Sequence, residues 1–280
     1  MGTQIQRRMA PITFFVLTTL IALVSAEPKV MHFNDFNSKD WAKEYNINHA
    51  QQVRRVADCR GTGNYCLQIH VRKNEHYGTS IKYKFADRYE GYEPTSLAVK
   101  YKIKFARNCN SYNGKAPGFD GTYDVAGWGG KPSNGENGWS ARGSTTAKED
   151  GIVPSFYVYD ANLKRKYGKP YNWQLDGGSA TLEENHYKDD DDVLIMEYDK
   201  WHNVTQYVKL NDVGKHNGIL AAWVNGRNVL AKKEFQFRTV DKLKLYSYWI
   251  NFYHGGKDVS PKDCYIQMDD LVLWEPLSTV

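Results

Sequence analysis

The chain has 280 residues, of which 37 are Lys or Arg, 32 are Asp or Glu and 14% are aromatic. The formal net charge of +5 is compatible with a polyanionic partner but does not identify one. The sequence has no basic tail, helix-turn-helix pattern or zinc-finger spacing, which argues against nucleic acid as a partner.

The N-terminus has the pattern of a signal peptide. Arg7 and Arg8 precede an apolar run from Pro11 to Val24, and Val24-Ser25-Ala26 supplies the small residues of a cleavage site. The apolar run is short for a bilayer span, so we expect cleavage after Ala26 and no membrane anchor. The remaining residues, 27–280, are expected to be secreted and to form one large β domain.

Two further features fit a secreted chain. Cys59, Cys66, Cys109 and Cys264 are even in number, and an oxidising compartment favours disulfides over the alternative of free buried thiols. Of the three possible pairings we predict Cys59–Cys66, a staple around a glycine-containing loop, and Cys109–Cys264, a tie between distant strands. Asn203-Val204-Thr205 is a candidate glycosylation site.

Alternation of apolar and polar residues dominates the rest of the chain and predicts strands. In chain order these runs cover residues 67–71, 81–85, 97–105, 156–158, 219–224, 243–253 and 266–274. Asn225-Gly226 predicts a hairpin turn, because both residues tolerate positive φ. No amphipathic helix longer than two turns is evident. The predicted fold class is all-β: an antiparallel β-sandwich of jelly-roll type with a concave, ring-lined substrate groove.

The first motif with chemical potential is Gly114-Lys115-Ala116-Pro117-Gly118. Its Gly and Pro residues predict a turn with an unusual backbone path that holds Lys115. A lysine near other cations, or partly desolvated, can lose its proton near neutral pH and act as a base. The alternative is a solvated turn lysine.

The second motif is Ser140-Ala141-Arg142. In a strand, Ser140 and Arg142 share a face. The planar guanidinium of Arg142 can bind a carboxylate through two parallel hydrogen bonds. The alternative is a surface arginine in an ordinary salt bridge.

The third motif is Tyr157-Val158-Tyr159, which places two phenols on the same face of a strand. Such phenols can bind sugar rings or move protons, whereas the alternative is simple amphipathic packing. Asn251 and Tyr253 stand at the end of a later strand and are further candidates for lining a substrate groove.

Two other patterns bear on function. Lys100, Lys102 and Lys104 form a basic stripe on one strand face, which either steers an anionic polymer or is a solvated sheet surface. A retaining glycosidase requires two close carboxylates, and no strand carries a Glu-x-Asp-x-Glu-like pattern that would supply them.

Taken in order, the three motifs and the closing Ile266-Gln267-Met268-Asp269-Asp270-Leu271 resemble the alginate lyases of polysaccharide lyase family 14, in particular those secreted by marine herbivores. The resemblance spans essentially the whole mature chain. The family usually has Leu where this chain has Ala116, and the connection from Arg142 to Tyr157 is longer than usual. These departures affect the substrate subsites and the loops over the groove, and they leave the chemical residues unchanged.

The resemblance implies a β jelly roll that cleaves a polyuronate by β-elimination, with Lys115, Ser140, Arg142, Tyr157 and Tyr159 at the matching site positions. Arg142, together with Ser140, would neutralise the substrate carboxylate. Lys115 would take the C5 proton, Tyr157 would protonate the leaving oxygen and Tyr159 would position the sugar. The reverse assignment, with a tyrosine as the base, stays open. No metal or other cofactor is required.

The partner implied by the resemblance is alginate, with poly-mannuronate as the expected block, and the enzyme is expected to be a monomer in digestive fluid. Two alternatives stay open. One is a lyase for another polyuronate such as glucuronan, because the chemistry at C5 is shared. The other is a lectin-like sandwich that binds acidic glycans without cleaving them.

Overall fold

A computed structural model describes residues 29–61, 63–175 and 192–276. The predicted signal peptide, residues 1–26, lies outside these ranges. Within them, none of the helices has the length and apolar character needed to cross a membrane. The helical segments of these ranges are short 3₁₀ turns at Trp41–Glu44, Ala50–Gln52 and Arg107–Cys109.

The described residues form sixteen β-strands, in agreement with the predicted all-β class. They are β1 (Lys29–Asn34), β2 (Asn46–Asn48), β3 (Val53–Ala57), β4 (Tyr65–Val71), β5 (Tyr77–Lys84), β6 (Ser96–Phe105), β7 (Gly114–Gly121), β8 (Trp139–Ala147), β9 (Gly151–Tyr159), β10 (Lys169–Asn172), β11 (Met196–Glu197), β12 (His202–Lys209), β13 (Gly218–Val224), β14 (Arg227–Phe235), β15 (Ser247–His254) and β16 (Cys264–Glu275).

The strands make two antiparallel eight-stranded sheets. Sheet A has the order β14-β13-β12-β6-β16-β4-β3, with β1 paired to β16. Sheet B has the order β10-β9-β8-β7-β15-β5-β2, with β11 paired to β9. The predicted antiparallel sandwich is therefore confirmed.

The core lies between the two sheets and is built from the apolar residues that alternate along their strands. Ile69 and Ile103 from sheet A, and Phe156 and Phe252 from sheet B, belong to one core cluster and are at most 1% exposed. Burial of a side chain of this size stabilises the fold by roughly 1.5–3 kcal/mol. The polar residues that alternate with them face outward, so each sheet presents a polar outer face.

The hairpin predicted at Asn225-Gly226 connects β13 and β14. Both residues have positive φ, 52° and 82°, as the turn requires. The next residue, Arg227, pairs directly with Val224.

Both predicted disulfides are present. Cys59 pairs with Cys66, and Cys109 pairs with Cys264. Cys109 ends the 3₁₀ turn that follows β6, and Cys264 begins β16, which is the neighbour of β6 in sheet A. The second bridge therefore ties together two adjacent central strands that are far apart in sequence.

Breaking Cys109–Cys264 is expected to destabilise the fold more than breaking Cys59–Cys66. A cross-link lowers the entropy of the unfolded chain more when it closes a longer loop, and the two bridges span 155 and 7 residues. The chain-entropy relation gives roughly 5 kcal/mol for the long loop and roughly 2 kcal/mol for the short one. Urea denaturation of Cys109→Ser/Cys264→Ser and of Cys59→Ser/Cys66→Ser measures both losses. Equal losses, or a larger loss for the short loop, would contradict this ordering.

Candidate active site

The predicted site residues meet on the outer face of sheet B. Lys115 lies on β7, Arg142 on β8, Tyr157 on β9 and Tyr253 on β15. Lys115 pairs directly with Tyr253, and Arg142 pairs directly with Tyr157. Because β9, β8, β7 and β15 are consecutive neighbours in the sheet, these four side chains form one continuous patch.

The prediction that Gly114-Lys115-Ala116-Pro117-Gly118 forms a turn is wrong, because these residues lie within strand β7. The strand is irregular: its register with β8 shifts between Ala116 and Phe119. Pro117 has no N–H to give to a ladder and so suits an irregular position. Gly118 is required there because a Cβ atom would stand 2.6 Å from the Cα of Arg142.

A buried polar group from the opposite sheet supports this irregularity. The side-chain amide of Gln206, on β12 of sheet A, donates to the carbonyl oxygen of Pro117 over 3.0 Å. The same amide group donates to the hydroxyl of Tyr101 over 3.2 Å, and its oxygen accepts from Tyr248 over 3.3 Å. Gln206 is fully buried, so these bonds satisfy side-chain atoms that water does not reach.

Lys115 is a partly buried amine beside another cation. Its ammonium nitrogen lies 3.9 Å from the ring centroid of Tyr157. Burial, followed by repulsion from Arg142, lowers the pKa of Lys115 from 10.5 to about 7. The Tyr157 ring face attracts the protonated amine, but an unpaired cation in a partly buried position is costly enough to outweigh this attraction. Lys115 is therefore neutral in a substantial fraction of molecules near pH 7.

Arg142 is held in place by neutral partners and keeps an uncompensated charge. It is 6% exposed, and its guanidinium carbon lies 5.0 Å from the ring centroid of Trp249. Its Nη1 donates to the side-chain oxygen of Asn251 over 3.3 Å. Among the described residues, no carboxylate lies within 4 Å of the guanidinium. Burial lowers the pKa of Arg142, yet arginine stays protonated, so the site holds a fixed positive charge.

Tyr157 has the opposite protonation preference. Burial, followed by the neighbouring Tyr159, raises the pKa of Tyr157 to about 12. The hydroxyl is therefore protonated at neutral pH and can donate a proton. The patch thus combines a proton acceptor, a proton donor and a fixed cation.

Three predicted substrate-binding residues lie beneath this surface instead of on it. Ser140, Tyr159 and Asn251 are at most 2% exposed. The Ser140 hydroxyl donates to the carbonyl of Gly127 over 2.6 Å, and the Tyr159 hydroxyl accepts from the N–H of Gly130 over 3.2 Å. Ser140 and Tyr159 therefore hold the loop that follows β7. Asn251 holds the guanidinium of Arg142. Tyr253 is partly exposed and does face outward.

Sequence reasoning missed Trp249, whose ring is close to two cations. The guanidinium carbon of Arg142 lies 5.0 Å from its centroid and the ammonium of Lys82 lies 4.5 Å from it. Lys82 forms ion pairs with Asp120 over 3.1 Å and with Asp124 over 2.6 Å. Alternation along the strands puts Lys82 on a polar face, but the contact with Trp249 depends on the pairing of β5 with β15, which no local pattern reveals.

Aromatic rings continue the patch towards β5 and the β2 edge of sheet B. Tyr253 meets Tyr77 edge-on with ring centroids 4.8 Å apart, and Tyr77 stacks on His49 at 4.2 Å. His76 stacks on Tyr253 at 5.3 Å. Such a row of partly exposed rings is suited to contact the flat faces of sugar residues.

Comparisons with known proteins identify the family and the fold. The family model described as Polysaccharide lyase 14 matches residues 62–270. No curated protein sequence matches the chain.

Several solved structures share the fold. The marine PL-14 alginate lyase from Aplysia kurodai is 16% identical with a TM-score of 0.60, and the match covers 90% of this chain and 100% of that one. A mutant of the alginate lyase Aly36B, in complex with an alginate trisaccharide, is 18% identical with a TM-score of 0.63, covering 91% and 96%. The endo-β-1,4-glucuronan lyase from the fungus Trichoderma reesei is 11% identical with a TM-score of 0.54, covering 88% and 95%.

Lys115→Met is expected to stabilise the protein at pH 6 by roughly 5 kcal/mol. At that pH folding buries a cation, because Lys115 is still protonated. Its pKa is about 7 in the folded chain and 10.5 in the unfolded chain. Between pH 7 and 10.5 the unfolded state binds more protons, so stability of the native protein rises with pH and the advantage of Met shrinks.

Denaturant unfolding at pH 6, 8 and 10 measures this effect. Lys100→Met, at an exposed position on the other sheet, is the control and should show no such dependence on pH. An advantage of Lys115→Met that is the same at all three pH values would contradict the lowered pKa.

Proposed function

The chain belongs to the polysaccharide lyase 14 family, and from this we propose that it cleaves alginate, preferentially its poly-mannuronate blocks, by β-elimination. It is a polysaccharide lyase, and the proposal concerns its substrate and the role of each residue. The observation that carries the proposal is the neighbourhood of Lys115, where a lysine with a pKa of about 7 lies beside an uncompensated arginine and a protonated tyrosine.

The first step of the proposed reaction is neutralisation of a uronate carboxylate. The proton on C5 is weakly acidic while the adjacent carboxylate keeps its full charge. Arg142 has N–H donors that are not used, since its one side-chain hydrogen bond to a described residue is the bond to Asn251. It would bind the carboxylate and stabilise the enolate-like charge that develops when C5 loses its proton. Asn251 and Trp249 would keep the guanidinium in place during this step.

The second step transfers two protons. Lys115 would accept the C5 proton as its C–H bond breaks, a C4–C5 double bond would form, and the C4–O4 bond would break. Tyr157 would give its proton to the departing O4. The pKa values favour this assignment over the reverse, because a lysine near 7 is available as a base and a tyrosine near 12 as an acid at neutral pH.

The position of the two groups favours substrates with one C5 configuration. The Lys115 nitrogen lies against the Tyr157 ring, so base and acid would approach the sugar from the same side. The C5 proton and O4 lie on the same side in mannuronate and glucuronate, and on opposite sides in guluronate, which is the C5 epimer of mannuronate. This arrangement supports mannuronate over guluronate and leaves glucuronan as the second candidate.

We also propose that the protein is secreted and acts as a monomer in digestive fluid. Secretion is supported by the sequence pattern of residues 1–26 and by the two disulfides, which persist in oxidising compartments. Asn203 is exposed on β12 and accessible to a glycosyltransferase, which supports its proposed glycosylation.

Lys115→Arg and Tyr157→Phe are expected to lower kcat by at least about 100-fold each, since either change removes one proton transfer. Arginine keeps the positive charge but cannot release its proton near neutral pH. In the native protein kcat/KM should rise as pH increases through about 7, because only neutral Lys115 accepts a proton. The rate is followed as ultraviolet absorbance of the unsaturated uronate.

Lys100→Ala, which removes an exposed lysine from the other sheet, is the control and should keep native activity. Native-like activity in Lys115→Arg would show that Lys115 is not the base. The same conclusion would follow if a Lys115 variant with residual activity kept the rise of kcat/KM through about pH 7.

On separate polymers we expect the fastest release of unsaturated product from poly-mannuronate, a slower release from poly-guluronate, and glucuronan as the closest competitor. The test is the initial rate on each polymer at equal uronate concentration, together with the fall in viscosity. Faster cleavage of poly-guluronate would contradict the same-side arrangement of base and acid. Binding to all three polymers without new absorbance would favour the lectin-like alternative.

A further inference from the structure

Four side chains stand in a row across the outer face of sheet A, opposite the active site. Arg54 on β3 pairs with Gln68 on β4, Gln68 pairs with Gln267 on β16, and Gln267 pairs with Lys104 on β6. The chain neighbours of Gln68, Gln267 and Lys104 belong to the core, so these three side chains point outward. Arg54 is exposed. Along a line perpendicular to the strands, the row therefore consists of a cation, two amides and a second cation.

The row lies in a cleft of about 330 Å³, within the size range of small-ligand sites. Tyr265, two residues before Gln267 on β16, also lines the cleft. Its ring stacks on His70 with centroids 4.4 Å apart, which fixes its orientation. The cleft therefore combines an aromatic ring, two amides and two cations, which are the groups that bind acidic sugars.

The two cations of this cleft are free to bind an anion. Among the described residues, neither Arg54 nor Lys104 has a carboxylate within 4 Å, whereas their neighbour Lys102 is paired with Asp270 over 2.7 Å. Lys104 lies 5.1 Å from the ring centroid of Trp201. The one carboxylate that lines the cleft, Asp199, accepts a hydrogen bond from the backbone N–H of Arg107.

The amide of Gln68 orients the arginine at one end of the row. With its side-chain oxygen turned towards Arg54, Gln68 accepts from Nε and Nη2 of that arginine over 3.2 and 2.9 Å. Gln267, the next residue of the row, is partly exposed and lines the cleft, so its amide is available to a sugar hydroxyl.

We propose that this cleft is a second, non-catalytic binding site for the acidic polysaccharide, reached by polymer on the face opposite the active site. The identity of the polymer as a polyuronate rests on the proposed function above. With strands about 4.8 Å apart, Arg54 and Lys104 stand roughly 14 Å apart along the row. One strand spacing is close to the length of one sugar residue, so the two cations would bind carboxylates separated by about three residues. Holding the polymer there keeps the enzyme on its substrate between cuts.

The test uses polymer binding by a catalytically inactive chain. In the Lys115→Ala background, migration in gels containing poly-mannuronate gives a dissociation constant without cleavage of the polymer. Adding Arg54→Ala/Lys104→Ala is expected to weaken binding at least about fivefold, the effect of losing about 1 kcal/mol. Gln267→Glu, which keeps the shape of the side chain and adds a negative charge, should weaken it similarly.

Lys209→Ala/Lys233→Ala is the matched control, because it removes two exposed lysines of sheet A that do not line the cleft. It should change binding less than twofold. With Lys115 restored, the Arg54→Ala/Lys104→Ala variant should cleave a short oligosaccharide at the native rate, since such a substrate spans only the active site. Binding that is weakened no more than in the control, in both cleft variants, would overturn the proposal. Failure of the native protein to release unsaturated product would instead contradict the proposed function, so the two outcomes are distinguishable.

Discussion

The hydrogen bond from the side chain of Gln206 to the carbonyl of Pro117 joins the two sheets through the core and supports the irregular path of β7. Without a partner, that carbonyl would be a buried acceptor facing an apolar core, at a cost of roughly 1–3 kcal/mol. Gln206 supplies the partner and is in turn held by two tyrosines. The opposite sheet thus stabilises the irregular stretch that carries Lys115, and the site depends on residues that never approach the substrate.

Two lysines on the outer face of sheet B show how charge pairing decides protonation. Burial alone lowers the pKa of both. For Lys82 the carboxylates of Asp120 and Asp124 outweigh burial, and its pKa is raised. For Lys115 the neighbour is Arg142, and its pKa falls to about 7. The same residue type on the same surface is therefore a permanent cation in one place and is neutral in a substantial fraction of molecules near pH 7 in the other. The difference lies in the sign of the neighbouring charge.

Local pattern was enough to predict the fold class and part of the scaffold. The seven alternating runs fall on β4, β5, β6, β9, β13, β15 and β16, while the other strands have no such run. Asn225-Gly226 predicted its hairpin, and the compartment argued for both disulfides. It failed at Lys115, where Gly and Pro suggest a turn but the chain forms a bulged strand.

The reason for this failure is that the decisive contacts are non-local. A turn and a bulge have the same local composition, and only the partner strands and Gln206 distinguish them. The burial of Ser140 and Asn251 has the same origin, since alternation places a residue on a face but does not show what covers that face. The row from Arg54 to Lys104 likewise emerges only from the register of four strands.

The position of β15 and β16 has a consequence for how the protein is made. Each lies in the middle of its sheet, β15 between β7 and β5 and β16 between β6 and β4, although both come from the end of the chain. During synthesis the earlier strands therefore have unpaired edges, which are prone to aggregation, until β15 and β16 have left the ribosome. Contacts so distant in sequence favour slow folding of both sheets. A chain truncated before β15 would lack the strand that joins the two halves of sheet B.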